Sequence, residues 1–312
     1  RLPASRQKVP EGAVREGLNT VVESLTSPEP DAVAEERERR AAMWQALLQA
    51  GDPDALLPSV LQDAGAYGGG RGIWADKATT SGIGGAEAVA VSVLHTGSHY
   101  ADDLSDEALL YHYPETKRPG RDAMEIEALK AAHRLRLPIF VILKEGKQRS
   151  VSPGWVTDWD DPSNLFLIEF NEAEVSPTGT LEPPVLYGHK SGKKTTAKTR
   201  PNQQRFRMSV LKRYGPCCAV CDVAAPELLE AAHIIPVGSD GSDDPRNGLV
   251  LCRNHHRAFD LGLFCIDPSG AVVVADSAGA ADIGLRKLSL AALPQQPAPE
   301  ALAARFGSSG NP

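Results

Sequence analysis

The chain has 312 residues, 42% hydrophobic and 23% charged, with a formal net charge of −7. That length predicts two domains, and the composition supplies enough apolar surface for real cores, which excludes wholesale disorder. No run approaches ~18 uninterrupted apolar residues, and the basic opening Arg1 to Pro10 has no apolar stretch behind it. Neither a membrane span nor a signal peptide is therefore expected, and the chain reads as soluble, intracellular and cytoplasmic.

Val14, Leu18, Val21, Val22 and Leu25 fall at helical spacing, and Asp31 to Ala50 continues with Trp44, Leu47 and Leu48 after a charged first turn. Two amphipathic helices are thus expected to open the chain as packing elements. After the glycine cluster Gly68–Gly70 the pattern changes to short β-rich runs at Ala88–Leu94, Pro138–Leu143 and Leu165–Phe170, with helical periodicity from Ala123 to Leu137. Between Pro183 and Cys221 there is no Asp or Glu, while Lys190, Lys193, Lys194, Lys198, Arg200, Arg205, Arg207, Lys212 and Arg213 supply nine positive charges. Its first part, Gly188 to Gln204, reads as a flexible linker, and the charge is either a solvating feature or a strap that tracks phosphates. The tail after Leu293 is rich in Pro, Ala and Gly and reads as low in complexity.

The five cysteines are odd in number and lie between Cys217 and Cys265. That argues against a secreted disulfide framework and for a local metal site in a reducing compartment. Cys218 and Cys221 form one pair with a two-residue spacer and Cys252 and His255 another, which is the spacing of a structural four-ligand zinc site. A one-residue slip would put Cys217 in place of Cys218, and Cys265 sits in an apolar run as a core residue.

Between the pairs lies Glu230-Ala231-Ala232-His233-Ile234-Ile235-Pro236, then Arg246-Asn247-Gly248-Leu249, then Leu251 to Asp260 with His255 and His256. With the lead-in helix Arg205–Tyr214, residues from about Arg205 to Ala275 resemble an HNH nuclease domain of the ββα-metal type. The resemblance implies His233 as general base, Asn247 as an orienting residue and His256 as a ligand of a catalytic Mg²⁺ or Mn²⁺ ion. Many members carry an acidic ligand directly before the first histidine; here that residue is Ala232. The second ligand falls to Asp260, one turn beyond His256, or less readily to Glu230.

The stretch from Val91 to Asp103, followed by Leu109-Leu110-Tyr111-His112, resembles the SRA (YDG) domain, which flips a modified cytosine out of duplex DNA into a pocket of its β-barrel. The resemblance implies Tyr100 and Tyr111 stacking on the base and Asp103 accepting from its exocyclic amine. Two departures are Gly97, three residues before Tyr100 instead of two, and His112 where the family often has Thr.

The expected architecture is α+β: an N-terminal helical segment (1–59), an SRA-like β-barrel reader (60–185), a basic linker (186–204), a zinc-containing HNH domain (205–280) and a C-terminal tail (281–312). The expected function is cleavage of double-stranded DNA bearing 5-methylcytosine or 5-hydroxymethylcytosine. A homodimer is expected to supply one HNH site per strand. The alternatives are an HNH nuclease with another N-terminal specificity and a non-catalytic zinc-containing DNA-binding protein.

Overall fold

The computed structural model describes residues 30–70, 72–96, 103–116, 118–170, 184–187, 202–274 and 282–308. The expected first helix around Val14–Leu25 lies outside the described residues. The second is α1, Pro30–Ala50; it is followed by α2, Pro58–Asp63, β1, Ile73–Ala75, and α3, Lys77–Thr80.

The short β-rich runs form the middle of a six-stranded sheet. Its members are β1, β2 (Ala90–His95), β3 (Ala108–His112), β4 (Ile139–Glu145), β5 (Gln148–Asp160) and β6 (Leu165–Glu169), in the order β1-β2-β4-β5-β6-β3. β2 and β4 run parallel and the other pairs antiparallel. The crossover from β2 to β4 includes α4, Pro119–Arg134. β2 and β4 are mostly apolar, and buried from Ala90 to Leu94 and from Ile139 to Ile142, because both their faces are covered there. Val91, Phe140 and Ile142 pack under α1 and α2 with Met43, Leu47 and Leu61, while Val93, Ile139 and Val141 pack under α4 with Leu129 and Ala132. α1 is also pinned by a buried charge: Arg40 pairs with Glu36 at 2.7 Å and donates to the carbonyls of Ala90 and Pro138 at 2.9 and 2.6 Å.

The long β5 changes partner along its length, pairing with β4 up to Gly154 and with β6 from Trp155. Gly154 is required at that changeover, since a Cβ there would lie 2.9 Å from Val141 and 3.0 Å from Ile168.

The expected closed barrel is not met. Among the described residues the sheet is open, with β1 and β3 at its edges. Across the opening, a Cβ on Gly72, the residue before β1, would lie 2.9 Å from the hydroxyl of Tyr111 in β3. With β1 only three residues long, no backbone ladder bridges the gap.

The second unit opens with α5, Gln203–Tyr214. Its hairpin pairs β7, Leu229–His233, antiparallel to β8, Gly248–Cys252, with His233 opposite Gly248; α6, Arg253–Asp260, follows directly. A small hairpin of β9, Cys265–Ile266, and β10, Val272–Val273, comes next. The tail departs from its reading as low-complexity sequence: Pro299–Ser308 form α7, and Leu290, Ala301 and Leu302 are buried in the core of the second unit. Arg305 donates to the carbonyl of Phe259 at 2.8 Å.

One hydrophobic core runs through the expected boundary. Ala108, Leu110, Leu165 and Leu167 of β3 and β6 join a cluster with Phe206, Val210 and Leu211 of α5 and with β7, β8 and α6. α5 is therefore shared, with the sheet on one side and the ββ hairpin on the other. No described helix is long and apolar enough to cross a membrane.

Candidate functional site

Cys218, Cys221, Cys252 and His255 converge, all buried, with their ligand atoms within 4.8 Å of one another. His255 Nδ1 lies 3.1 Å from Cys252 Sγ and 3.6 Å from Cys218 Sγ. Its Nε2 lies 2.9 Å from the carbonyl of Ile283, which can only accept. That contact places the proton on Nε2 and leaves Nδ1 available to a metal. Burial lowers the imidazole of His255 from its ordinary value, pushes the Cys218 thiol up to about 12 and raises that of Cys221. Thiols held protonated by burial gain little without a cation, and a Cys₃His set of this kind is suited to tetrahedral Zn²⁺. Cys217 stands outside the set, its sulfur near the carbonyls of Cys218 and Cys221 and the Lys287 ammonium. The cluster thus contains Cys218 and not Cys217. Cys265, in β9, is buried in contact with Val273.

A cleft of about 510 Å³ on this unit is lined by Phe206, Arg207, Glu230, His233, Asp243 and His256, among others. His233 ends β7, and its ring is stacked on Phe206 of α5 with centroids 3.8 Å apart and planes 12° apart. Its Nε2 lies 3.0 Å from Asp243 Oδ1. Asn247 does not touch the imidazole: fully buried, it accepts from the Ile235 amide at 2.9 Å and donates to the carbonyls of Ile235 and Ser242 at 3.2 and 2.9 Å. It fixes the backbone on both sides of the loop that joins His233 to Asp243.

His256, on α6, faces Glu230, on β7, across the cleft. Its Nδ1 is 2.7 Å from Glu230 Oε2, and its Nε2 is 3.8 Å from Asp260 Oδ2. Arg253 donates to the other oxygen of Glu230 at 2.8 Å. The hydrogen bond with His256 is the main reason that the Glu230 carboxyl lies below its ordinary range, with burial opposing. The position before the histidine is explained by packing, since Ala232 is fully buried in the core and a carboxylate there would be desolvated. Glu230, two residues earlier on the strand, supplies the acid to the cleft instead. It lies closer to His256 than Asp260 does. Asp243 had no sequence signal beyond its place in the acidic loop Asp240–Asp244, because only the loop's path brings it to His233.

The residues expected to form a base pocket are distributed differently. Tyr100 lies outside the described residues. Tyr111, in β3, is buried, which raises its phenol pKa. It lines a second cleft of about 980 Å³ with His112, Tyr113 and Arg118. Asp103 is fully buried, with Oδ1 2.5 Å from Arg207 Nη1 and Oδ2 2.9 Å from His112 Nε2. Both of its oxygens are thus engaged within the chain. The basic stretch is also partly spoken for: Arg205 pairs with Glu169 and Lys212 with Asp158, while Lys190 to Arg200 lie outside the described residues.

Residues 218–267 match the family model described as HNH endonuclease. Among solved structures the chain is similar to the "Modification dependent TagI restriction endonuclease", at 18% identity and a TM-score of 0.36, covering 84% of this chain and 94% of that one. No curated protein gave a significant match. Residues 218–267 of the C-terminal unit are thus similar to the HNH endonuclease family, and the unit brings together a buried Cys₃His cluster that could hold zinc and a cleft lined by His233 and His256.

Proposed function

We propose that the chain is a modification-dependent DNA endonuclease, in which the first unit reads a modified cytosine and the HNH unit hydrolyses the phosphodiester. The observation that carries the hydrolytic part is the shared cleft, where His233 and the Glu230–His256 pair face one another. With Nε2 engaged by Asp243, His233 presents Nδ1 as the base that takes a proton from water. Phe206 and Asp243 restrict the ring's tilt and rotation, and Asn247 holds the loop between them. Glu230 and His256, with Asp260 one turn on, are the side chains that would hold a Mg²⁺ or Mn²⁺ ion, one nitrogen and two carboxylates being a suitable donor set. Such an ion supplies positive charge to the phosphate oxygens.

For the reader, the support is a roomy cleft with Tyr111 and Tyr113 in its wall, aromatic faces of the type that stack on an unstacked base. The target is DNA with 5-methylcytosine or 5-hydroxymethylcytosine, presented by base flipping. A homodimer places a second HNH site on the opposite strand.

The test is incubation of matched methylated and unmodified plasmids with Mg²⁺ or Mn²⁺, and with EDTA. Cleavage of the methylated plasmid alone, abolished by EDTA, is expected. Equal cleavage of both assigns the first unit another specificity, and no cleavage with retained binding leaves a zinc-containing DNA-binding protein.

A further inference from the structure

Two groups that contact the His233 ring, Phe206 and Asp243, belong to elements tied to the rest of the chain. Phe206 is on α5, which forms ion pairs with Glu169, Asp103 and Asp158 of the first unit. Asp243 is on a loop braced by residues 184–187. There the amide of Ser242 donates to Leu186 at 3.0 Å, that of Val185 to Asp244 at 3.2 Å, and Tyr187 bridges to Gly241.

Among the three ion pairs, Asp103–Arg207 differs in burial. The Asp103 side chain is 0% exposed and that of Arg207 13%, whereas Arg205 and Lys212 are 47% and 39% exposed. Exposed pairs contribute little, but separating a buried pair strands two desolvated charges. The Asp103–Arg207 contact is therefore either made or broken, with few stable arrangements between. Its two ends also point in opposite directions. Asp103 continues to His112, next to Tyr111 in the wall of the larger cleft, while Arg207 lines the nuclease cleft beside Phe206. Arg207 Nη2 reaches the Leu229 carbonyl at the start of β7 at 3.4 Å, and its Nε is buried without a partner among the described residues. A guanidinium satisfied on one side only is poised to shift.

We propose that the Asp103–Arg207 ion pair couples occupancy of the first unit's cleft to the placement of His233, so that a bound modified base sets the rate of cutting and not only residence on DNA. This rests on the reading of the first unit as the recognition module. It also assigns Asp103 to transmission instead of base contact.

The test uses the full chain with a 5-methylcytosine duplex and its unmodified match, measuring Kd and, at saturating enzyme with Mg²⁺, the single-turnover rate constant. Wild type is expected to cut the bound methylated duplex faster than the bound unmodified one. In Asp103→Asn and Arg207→Lys that rate ratio is expected to fall by about 5- to 150-fold, with the Kd ratio and zinc content unchanged, while Asp103→Asn, which strands the buried Arg207 charge, melts lower. Arg207→Lys keeps the charge and decides the matter should Asp103→Asn fail to fold. An unchanged rate ratio in the variants, equal wild-type rates once bound, or a loss confined to the Kd ratio would each overturn the coupling; the last would return Asp103 to the pocket. A wild type that cuts no duplex, or binds and cuts both alike, overturns instead the underlying reading.

Discussion

His233 and Phe206 lie face to face, 3.8 Å between ring centroids, although they are 27 positions apart in the chain and belong to a strand and a helix. The stack is possible because β8 offers Gly248 opposite His233: a Cβ there would lie 2.8 Å from the Phe206 ring. Phe206→Leu keeps an apolar side chain but removes the flat surface, so the imidazole gains freedom to tilt. Cleavage is expected to slow with zinc content and fold retained. His233→Ala is expected to remove about 10²–10⁴-fold of rate, the contribution of a positioned base. Single-turnover rates with circular dichroism check both; near wild-type cutting by His233→Ala would remove it from the mechanism.

Much of this site was legible in the sequence because its ligands come in short, fixed spacings. Cys218 with Cys221, and Cys252 with His255, need only a tight turn each, and one hairpin joins the pairs. The central strands β2 and β4 were legible because burial on both faces leaves a mostly apolar run, with Ser92 the one polar residue between Ala88 and Leu94. β5 was not: Arg149 and Asp158 interrupt its pattern, and Pro153 sits where the strand is paired with β4 alone. α7 was hidden by its Pro- and Ala-rich neighbourhood, and its packing against Phe259 is a long-range event that no local window contains. Likewise, the basic run gave no sign that Arg205, Arg207 and Lys212 answer carboxylates of the first unit.

Cys221→Ser is expected to lose zinc, because a hydroxyl is a poor replacement for a thiolate and the metal carries folding free energy. The shared core extends the consequence. α5 packs on β3 and β6 as well as on the ββ hairpin, so loss of the zinc module also uncovers Leu110 and Leu167. Calorimetry is expected to show the first unit destabilised along with the second. A variant with wild-type metal content and melting would contradict the ligand assignment, and an unaffected first transition would contradict the shared core.

Burial pushes the Glu36 carboxyl up, but hydrogen bonds and charge from Arg39 and Arg40 outweigh it and hold it below its ordinary 4.5. A carboxyl with a depressed folded-state pKa adds stability above its unfolded value, and loses it as pH falls through the lower, folded one. Wild-type stability is therefore expected to decline on acidification below about 4.5. Glu36→Gln leaves Arg40 buried without its charge partner, a change that costs about 3–5 kcal/mol for pairs of this kind. The variant should be less stable at neutral pH, and the gap should narrow in acid. Denaturant midpoints across the pH range provide the check, and a gap constant down to acid pH would show that the charge of Glu36 is not the stabilising feature.

The choice between Glu230 and Asp260 as the acid beside His256 can be made by metal dependence. Glu230 lies 2.7 Å from the imidazole and its side chain is 31% exposed, whereas Asp260 lies 3.8 Å away and is 51% exposed. The nearer, less hydrated carboxylate has less solvent to shed when it binds an ion. Glu230→Gln keeps the shape but removes the charge, and is expected to raise the Mg²⁺ or Mn²⁺ concentration giving half-maximal cleavage by about 10- to 100-fold. Asp260→Asn should raise it less. Since Glu230 also pairs with Arg253, Arg253→Gln serves as the control for a purely local disturbance and should leave the metal requirement near that of wild type. Titrating cleavage against metal for the three variants separates the roles: a larger effect at Asp260 than at Glu230 would reverse the assignment, and an equal effect at Arg253 would mean that the Glu230 substitution acts through the ion pair.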